Sequence, residues 1–225
     1  MSDADNPPAT PAATVILLRD SGAGLETLML HRTSKVAFGG MWVFPGGRVD
    51  DADRRPDDSD DEIAARRAAA REAAEECGLL LEPHELVPFS HWTPPAETPR
   101  RYATWFFVAR ASEGEVLVDG GEIRDHAWLT PQEVLDRRHR GEVDLAPPTF
   151  VTLTDLAMHP DVDAALAAAA ARSPLPRYST RWSVVDDGAV ALWLGDAGYE
   201  ASDPHAEGPR HRLWMLPQGW RLERD

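Results

Sequence analysis

One segment of eight residues constrains this chain more than any other, namely Arg71-Glu72-Ala73-Ala74-Glu75-Glu76-Cys77-Gly78. On a helix, Glu72, Glu75 and Glu76 fall at positions i, i+3 and i+4, within an arc of about 100°. Three carboxylates on one patch repel each other and raise one another's pKa. A hard cation such as Mg²⁺ or Mn²⁺ removes that conflict, because carboxylate oxygens are its preferred ligands. Taken alone, the segment leaves open a second interpretation, a solvated acidic helix face.

The opposite side of the same helix is predicted to pack against a sheet. Small side chains line up about 180° from Glu72, which suits a helix lying close to its neighbour. They are Ile63, Ala70, Ala74 and Cys77. Ser59 and Glu62 have the spacing of a capping box, so the helix is predicted to start at Ser59 and to end at Gly78. The carboxylates are therefore expected to point to one fixed side.

A strong chain breaker precedes the helix. The short apolar run from Met41 to Phe44 stops at Pro45-Gly46-Gly47. Two glycines let backbone carbonyls approach a ligand or an ion closely, although such a sequence by itself indicates only a turn. The Asp-rich segment that follows, residues 48–58, is predicted to be a charged, solvated loop.

The remaining pattern alternates strands and helices. A hairpin is predicted over residues 13–20 and 26–32, and further strands over 101–109, 115–118 and 122–129. Helices are predicted over 132–140 and, broken at His159-Pro160, within 147–171. Short aromatic strands are predicted at 182–185, 189–194 and 212–216. This mixed order favours an α/β or α+β sandwich.

The glycine turn and the acidic helix together resemble the Nudix hydrolase family, whose box reads G-x5-E-x7-R-E-U-x-E-E-x-G-U, with U bulky and aliphatic. Gly47 matches the first glycine, and Arg71, Glu72, Glu75, Glu76, Gly78 and Leu79 match the second half. The chain has 23 residues between Gly47 and Arg71 where the family has 13, an insertion of ten. Counted back from Arg71, the first box Glu falls at Ile63, with Glu62 one residue away, and the U position is Ala73.

The resemblance implies a fold and a division of the chain. The expected fold is α+β, a Nudix-type α/β/α sandwich with a mixed sheet, followed by a C-terminal helical and β extension. The expected divisions are a disordered tail over residues 1–12, a Nudix hydrolase domain over 13–141 and the extension over 142–225.

The resemblance also implies roles for individual residues. Glu72, Glu75, Glu76 and the carbonyl of Gly47 would bind Mg²⁺ or Mn²⁺. Glu72 and Glu122 are the candidate bases for an attacking water, and Arg71 would orient the carboxylates. In the family the first box Glu mostly supports that arginine, so its displacement here affects the support of Arg71.

The expected reaction is metal-dependent hydrolysis of a phosphoanhydride bond in a nucleoside diphosphate linked to another group. The long insertion, His91-Trp92-Thr93-Pro94 and the segment from Arg100 to Phe107 resemble the subgroup that contains the peroxisomal coenzyme A diphosphatases of animals. Coenzyme A or an acyl derivative is therefore the preferred substrate, and ADP-ribose or a dinucleotide is next. Arg32, Arg100 and Arg101 are candidates for binding substrate phosphates. The alternative is a Nudix-fold nucleotide-binding or regulatory module with weak catalysis.

Charge and composition limit the other partners. With 23 basic and 38 acidic residues the net charge is −15, which disfavours nucleic acids and anionic membranes as partners. The single cysteine fits a reducing, cytoplasmic setting, and the N-terminal segment has neither a basic start nor an apolar stretch typical of a signal peptide. A homodimer formed through the aromatic C-terminal strands is left open.

Overall fold

The computed structural model describes residues 9–33, 39–112, 114–118 and 120–225, and these form two compact units. The larger unit contains Pro11–Ser90 and Thr104–Pro176, and the smaller contains His91–Ala103 and Arg177–Asp225 with the described residues before Pro11. The predicted α+β class with a mixed sheet is confirmed. The predicted domain boundary at residues 141 and 142 stays a prediction.

The larger unit contains the predicted hairpin and helices. Its strands are β1 (Thr10–Ser21), β2 (Gly24–Arg32), β3 (Trp42–Val43), β4 (Gly46–Arg48), most of β5 (Val87–Thr93), most of β6 (Tyr102–Arg110) and β7 (Ile123–Leu129). Its helices are α1 (Asp61–Cys77), α2 (Pro131–His139), α3 (Pro147–Leu156) and α4 (Val162–Ala170). The strands lie in the order β3-β2-β1-β6-β5, with β4 paired to β1 and β7 to β2.

Helix α1 covers one face of this sheet. Ala65, Ala69 and Ala73 are fully buried in a cluster with β-strand residues such as Leu28 and Leu30. Thr27 and Met29 alternate with those leucines along β2 and are also fully buried, so the second face is covered as well. This layering is the sandwich that the sequence predicts.

Two details of α1 differ from the prediction. The helix begins at Asp61, and Asp60 caps it by accepting hydrogen bonds from the backbone N–H groups of Glu62 and Ile63, so the predicted start at Ser59 is wrong. The side of α1 that is buried is also rotated about the helix axis relative to the predicted side. Ile63 and Ala74 are only half-buried, whereas Glu76 lies among the buried residues. One of the three carboxylates therefore faces the protein interior.

The predicted C-terminal end of α1 is confirmed. Gly78 has the left-handed φ of 73° that favours glycine, and its N–H donates to the carbonyl of Ala74. Just before it, the thiol of Cys77 is fully buried and donates to the carbonyl of Ala73 over 3.0 Å. Burial raises the pKa of this thiol to about 11.

The smaller unit contains β8 (Arg177–Ser179) and a four-stranded antiparallel sheet in the order β12-β11-β10-β9. Its strands are β9 (Arg181–Val185), β10 (Gly188–Leu192), β11 (His211–Leu216) and β12 (Gly219–Arg224). The end of β5 runs parallel to β8, where Trp92 stacks on Tyr178 with ring centroids 3.8 Å apart. Arg212 and Asp196 form a buried bidentate ion pair at 2.6 Å, which holds the connection between β10 and β11.

Some strands were missed and one predicted strand is absent. Strands β4, β5, β8 and β12 were not predicted, and residues 115–118, which lie within a described range and were predicted to form a strand, do not form one. Residues 1–8 of the predicted disordered tail lie outside the described residues, and Thr10 to Ala12 already belong to β1. Across the described ranges, every helix is too short or too polar to cross a bilayer.

Candidate active site

Strand β4, which contains Gly46 and Gly47 where the sequence by itself indicated a turn, lies against the acidic half of α1. Strand β4 pairs with β1 so closely that a Cβ on Gly46 would lie 2.8 Å from the Cα of Thr14. A Cβ on Gly47 would instead overlap the carboxyl group of Glu72, well inside the 3.0 Å limit for real contacts. Both positions therefore need glycine, the first for strand pairing and the second for space beside a carboxylate.

Glu76 is the most buried carboxylate of the predicted set, at 5% exposure. Its Oε2 accepts a hydrogen bond from the backbone N–H of Gly46 over 2.9 Å, and its Oε1 accepts one from Arg32 over 3.1 Å. Burial outweighs both bonds and raises the pKa of Glu76 to about 7, with a further contribution from the charges of Glu72 and Glu122. This carboxylate is poorly neutralised in the protein alone.

Arg71 connects the other two carboxylates of the helix. Its Nη1 donates to Glu72 Oε1 over 2.9 Å and to Glu75 Oε2 over 3.1 Å. Glu72 lies largely within the protein, and this burial raises its pKa despite the arginine. The side chain of Glu75 is 59% exposed. The predicted orienting role of Arg71 is consistent with these contacts and stays a prediction.

Asp53 is a site residue that the sequence analysis missed. Its two carboxylate oxygens accept hydrogen bonds from Arg71 Nε over 3.2 Å and from Nη2 over 2.9 Å. Hydrogen bonding to Asp53 is the main reason why the pKa of Arg71 is raised. Asp53 lies at the end of a short 3-10 helix (Asp51–Asp53) and is only 5% exposed, so the prediction of a wholly solvated loop is wrong at this position.

The sequence itself contained the signal for Asp53. In the box, the first Glu stands six residues after the glycine, and six residues after Gly47 is Asp53. Counting back from Arg71 placed that position at Ile63, because the ten extra residues were assumed to precede it. They follow it instead. Ile63 and Glu62 do not take the supporting role, since Glu62 pairs with Arg66.

Arg32 and Glu122 come together near Glu76. Arg32 donates to Glu76 through Nη1 and to Glu122 through Nη2, so it bridges two carboxylates that are distant in sequence. The side chain of Arg32 is 12% exposed and that of Glu122 is 55% exposed. Arg32 is thus already engaged with protein carboxylates, and its role in substrate binding stays a prediction.

Arg100 and Arg101 belong to the smaller unit, as do Trp92 and Tyr102. Both arginines precede β6, whereas the sequence predicted a strand that starts at Arg101. Arg100 is exposed, whereas a guanidinium nitrogen of Arg101 donates to the carbonyl of Pro94 over 3.4 Å. Trp92 is 4% exposed and packs on Tyr178 and Trp193, so core packing accounts for it.

The residues of β4 and α1 suit a hard divalent cation. Four groups supply oxygen atoms, the carboxylates of Glu72, Glu75 and Glu76 and the carbonyl of Gly47, and the glycine at position 47 leaves room for the carboxyl group of Glu72 where a Cβ would lie. Within the part of the chain that the structure describes, no three His, Cys, Asp or Glu side chains are already arranged as a metal site. Glu75 is directed to Arg71 and Glu76 to Arg32.

A comparison with protein-family models decides the family. The model described as the NUDIX domain matches residues 8–149, which is more than half of the chain.

The chain belongs to the Nudix family. This Nudix chain is 27% identical to "Putative nudix hydrolase 7" of Caenorhabditis elegans, and the match covers 61% of this chain and 58% of the worm protein. The match therefore spans less than two thirds of that relative.

Solved structures show the same fold. A Nudix hydrolase from Alicyclobacillus acidocaldarius superposes with a TM-score of 0.63 at 24% identity, covering 71% of this chain and 96% of that one. The Nudix domain of Shewanella oneidensis NrtR, crystallised with ADP ribose, superposes with a TM-score of 0.51 at 16% identity, covering 68% of this chain and 90% of that one.

Proposed function

We propose that this Nudix protein hydrolyses a phosphoanhydride bond in a nucleoside diphosphate linked to another group, with Mg²⁺ or Mn²⁺ as cofactor. The observation that supports this most is the placement of Glu72 and Glu76 beside Gly46 and Gly47, with Glu75 joined to Glu72 through Arg71. Family membership supports it further, because Nudix hydrolases generally need divalent metal ions. A diphosphate is anionic, so an acidic chain can accept it only where bound cations reverse the local field.

In this proposal Glu72, Glu75, Glu76 and the Gly47 carbonyl bind the cation. The cation, when bound, polarises water and neutralises charge on the phosphates. Glu72 or Glu122 accepts the proton of the attacking water, since each is a carboxylate in or beside the cluster. Arg71 keeps Glu72 and Glu75 in place from the side of the helix, and Asp53 in turn fixes Arg71.

Coenzyme A or an acyl-coenzyme A is the substrate we propose first, and ADP-ribose or a dinucleotide next. The first choice is supported by the long insertion after the glycine turn, a feature that resembles the coenzyme A diphosphatase subgroup. The second is supported by the NrtR Nudix domain, which was crystallised with ADP ribose. Asp53 weakens the alternative of a binding module with little catalysis, because it supplies the support for Arg71 that the sequence analysis regarded as displaced.

A substrate panel tests the proposal. The purified chain is incubated with coenzyme A, acetyl-coenzyme A, ADP-ribose and a diadenosine polyphosphate, each with Mg²⁺, with Mn²⁺ or with EDTA. Products are separated by chromatography and identified by mass. We expect metal-dependent formation of two phosphate esters from at least one substrate. Binding without turnover of any of them would favour the binding module instead.

The cysteine content and the net charge bear on where the protein acts and on its partners. The buried thiol of Cys77 fits a reducing cytoplasm, and the net charge of −15 fits a small-molecule substrate better than a nucleic acid or a membrane. A homodimer through the C-terminal strands stays a prediction.

A further inference from the structure

Arg67 of α1 fastens the insertion between Asp53 and α1 to the helix. Its Nε donates to the backbone carbonyl of Asp53 over 2.7 Å, and its Nη2 pairs with the carboxylate of Asp58. The side chains of Arg67 and Asp58 are only 17% and 14% exposed. This is a partly buried, charge-assisted contact, which contributes more than an exposed pair on the surface.

Asp58 closes a turn within the insertion, through two hydrogen bonds with Arg55. Its N–H donates to the carbonyl of Arg55, and its carboxylate accepts from the N–H of Arg55 over 2.9 Å. The carboxylate that pairs with Arg67 is thus part of a closed turn at the middle of the insertion. These bonds lower the pKa of Asp58, the one from Arg67 most of all. The insertion is an ordered segment that Arg67 anchors to α1 at its middle.

The anchor is connected to the acidic cluster through Asp53. Arg67 holds the backbone of Asp53, and the side chain of Asp53 holds Arg71 with two hydrogen bonds. Arg71 then contacts Glu72 and Glu75. Arg67 and Arg71 are four residues apart on α1, so they lie one above the other on the same side of the helix.

From these contacts we propose that Arg67 and Asp58 are positioning residues, which hold the insertion so that Asp53 can fix Arg71 beside Glu72 and Glu75. The role deepens the proposed function and rests on it. It is specific to this chain's long insertion, because Asp58 lies in the extra segment and Arg67 reaches back to it. Groups that orient the ligands of a metal typically change metal affinity or activity by about 10–100-fold when they are removed.

The test compares Arg67→Gln and Asp58→Asn with Arg54→Gln. Arg54 also joins the insertion to α1, but its guanidinium pairs with Asp61 and not with the carboxylate of Asp53, and its side chain is 39% exposed. We expect kcat/KM to fall about tenfold in the first two variants and to stay near the wild-type value in the control. The Mn²⁺ concentration for half-maximal rate is expected to rise in the same two variants.

A double-mutant cycle shows whether Arg67 acts through Asp53. In the Asp53→Ala background, Arg67→Gln is expected to add little, because the side chain that accepts from Arg71 is already gone. Losses of kcat/KM that simply multiply would show that Arg67 has only an independent, structural effect, and would overturn the proposal. Melting temperatures of all variants identify any that fail to fold.

A measurement without substrate separates this proposal from the proposed function. The Nε–H group of Arg71 is observed by ¹⁵N NMR of the free protein, where its bond to Asp53 should slow hydrogen exchange. We expect faster exchange in Arg67→Gln and Asp58→Asn and no change in Arg54→Gln. If the wild type cleaves no substrate but this pattern holds, the function is wrong and the connection is right. Unchanged exchange in both variants would overturn the connection, whatever the activity.

Discussion

At the scale of single residues, Arg32 and Arg71 divide the acidic side chains of the site between them. Arg71 pairs with four carboxylates and Arg32 with two, so six acids share two guanidinium groups. They are Asp50, Asp53, Glu72 and Glu75 on Arg71, and Glu76 and Glu122 on Arg32. Burial, with a smaller contribution from the neighbouring negative charges, raises the pKa values of Glu72 and Glu76. The fully ionised site is therefore costly unless protons or cations are bound.

Removing one carboxylate at a time tests the metal ligands. We expect Glu75→Gln and Glu76→Gln each to lower kcat by about a hundredfold or more, because charge neutralisation at the transition state is lost. Glu75→Gln should leave the melting temperature unchanged, since the Glu75 side chain is 59% exposed. Glu82→Gln is the matched control, with a side chain that is 71% exposed. Near-normal kcat in either variant at saturating metal and substrate would refute the assignment.

The raised pKa of Glu76 gives a pH dependence of stability with a definite sign. Between pH 4.5, its ordinary pKa, and about 7, the folded protein holds a proton at Glu76 that the unfolded chain releases. In EDTA, wild-type stability should therefore decrease as pH rises through this window, and the decrease should be complete above about 7. Each unit of pKa difference corresponds to about 1.4 kcal/mol.

Urea denaturation of the wild type, Glu76→Gln and Glu82→Gln across pH 4.5 to 8 measures this effect. Glu76→Gln should gain stability relative to the wild type as pH rises, and the gap should stop growing above about pH 7. Glu82→Gln should run parallel to the wild type. A constant difference between wild type and Glu76→Gln over this range would contradict the assignment of the raised pKa to Glu76.

Residues of the site differ in how far the sequence could reveal them. Helical spacing places Glu72, Glu75 and Glu76 together, and the resemblance to the Nudix box, which includes Arg71, favoured a metal site over a solvated acidic face. Asp53 was missed because it lies within an Asp-rich run that is typical of solvated loops and because the box was counted back from Arg71. Counted forward from Gly47, the box points to Asp53, but its burial against Arg71 depends on the fold and not on the local pattern.

At the scale of elements, strand β4 imposes different demands on its two glycines. Gly46→Ala would bring a Cβ against the backbone of β1, which cannot move without breaking strand pairing, so we expect a loss of about 2 kcal/mol or more. Gly47→Ala would meet only the flexible end of Glu72. It should cost about 1 kcal/mol or less but should lower kcat strongly, because Glu72 is displaced.

Calorimetry and steady-state kinetics on the two alanine variants separate these effects. The expected pattern is a lowered melting temperature for Gly46→Ala and a lowered kcat with nearly normal melting for Gly47→Ala. If Gly47→Ala retained full kcat, the close approach of Glu72 to β4 would have no role in the reaction.

Helix α1 shows why the extent of an element is easier to predict than its orientation. Its capping residue and terminal glycine mark the ends within two residues. Its rotation was predicted less well, because alanines occur on all sides of the helix and give almost no hydrophobic periodicity. The buried side is set by the sheet it meets, where Leu28 and Phe107 contact the helix. Consequently the burial of Glu76 could not be inferred from the helix alone.

At the scale of the whole molecule, the question is whether the smaller unit takes part in the reaction. Arg100 is exposed there, and Arg101 is already bonded to Pro94. We expect Arg100→Ala to raise KM with little effect on kcat, more for coenzyme A than for dephospho-coenzyme A, because coenzyme A carries an additional phosphate on its ribose. Arg101→Ala should change KM less.

Steady-state kinetics with both substrates measures the contribution of each arginine. The ratio of the two KM values is the informative quantity, since a change in folding would affect both substrates alike. If both variants treat the two substrates as the wild type does, neither arginine recognises that phosphate, and the preference for coenzyme A loses its support from the smaller unit.

Chemical labelling of the Cys77 thiol can measure local unfolding at the end of α1. Because this sulfur is fully buried and its pKa is raised to about 11, a disulfide reagent can reach it only when the helix end opens. The chain has no other cysteine, so the labelling rate under native conditions measures the free energy of that opening directly. Glu76 is its neighbour along the helix. A cation that binds the folded cluster should therefore protect the thiol from labelling, in a chain that carries no mutation and with no substrate present.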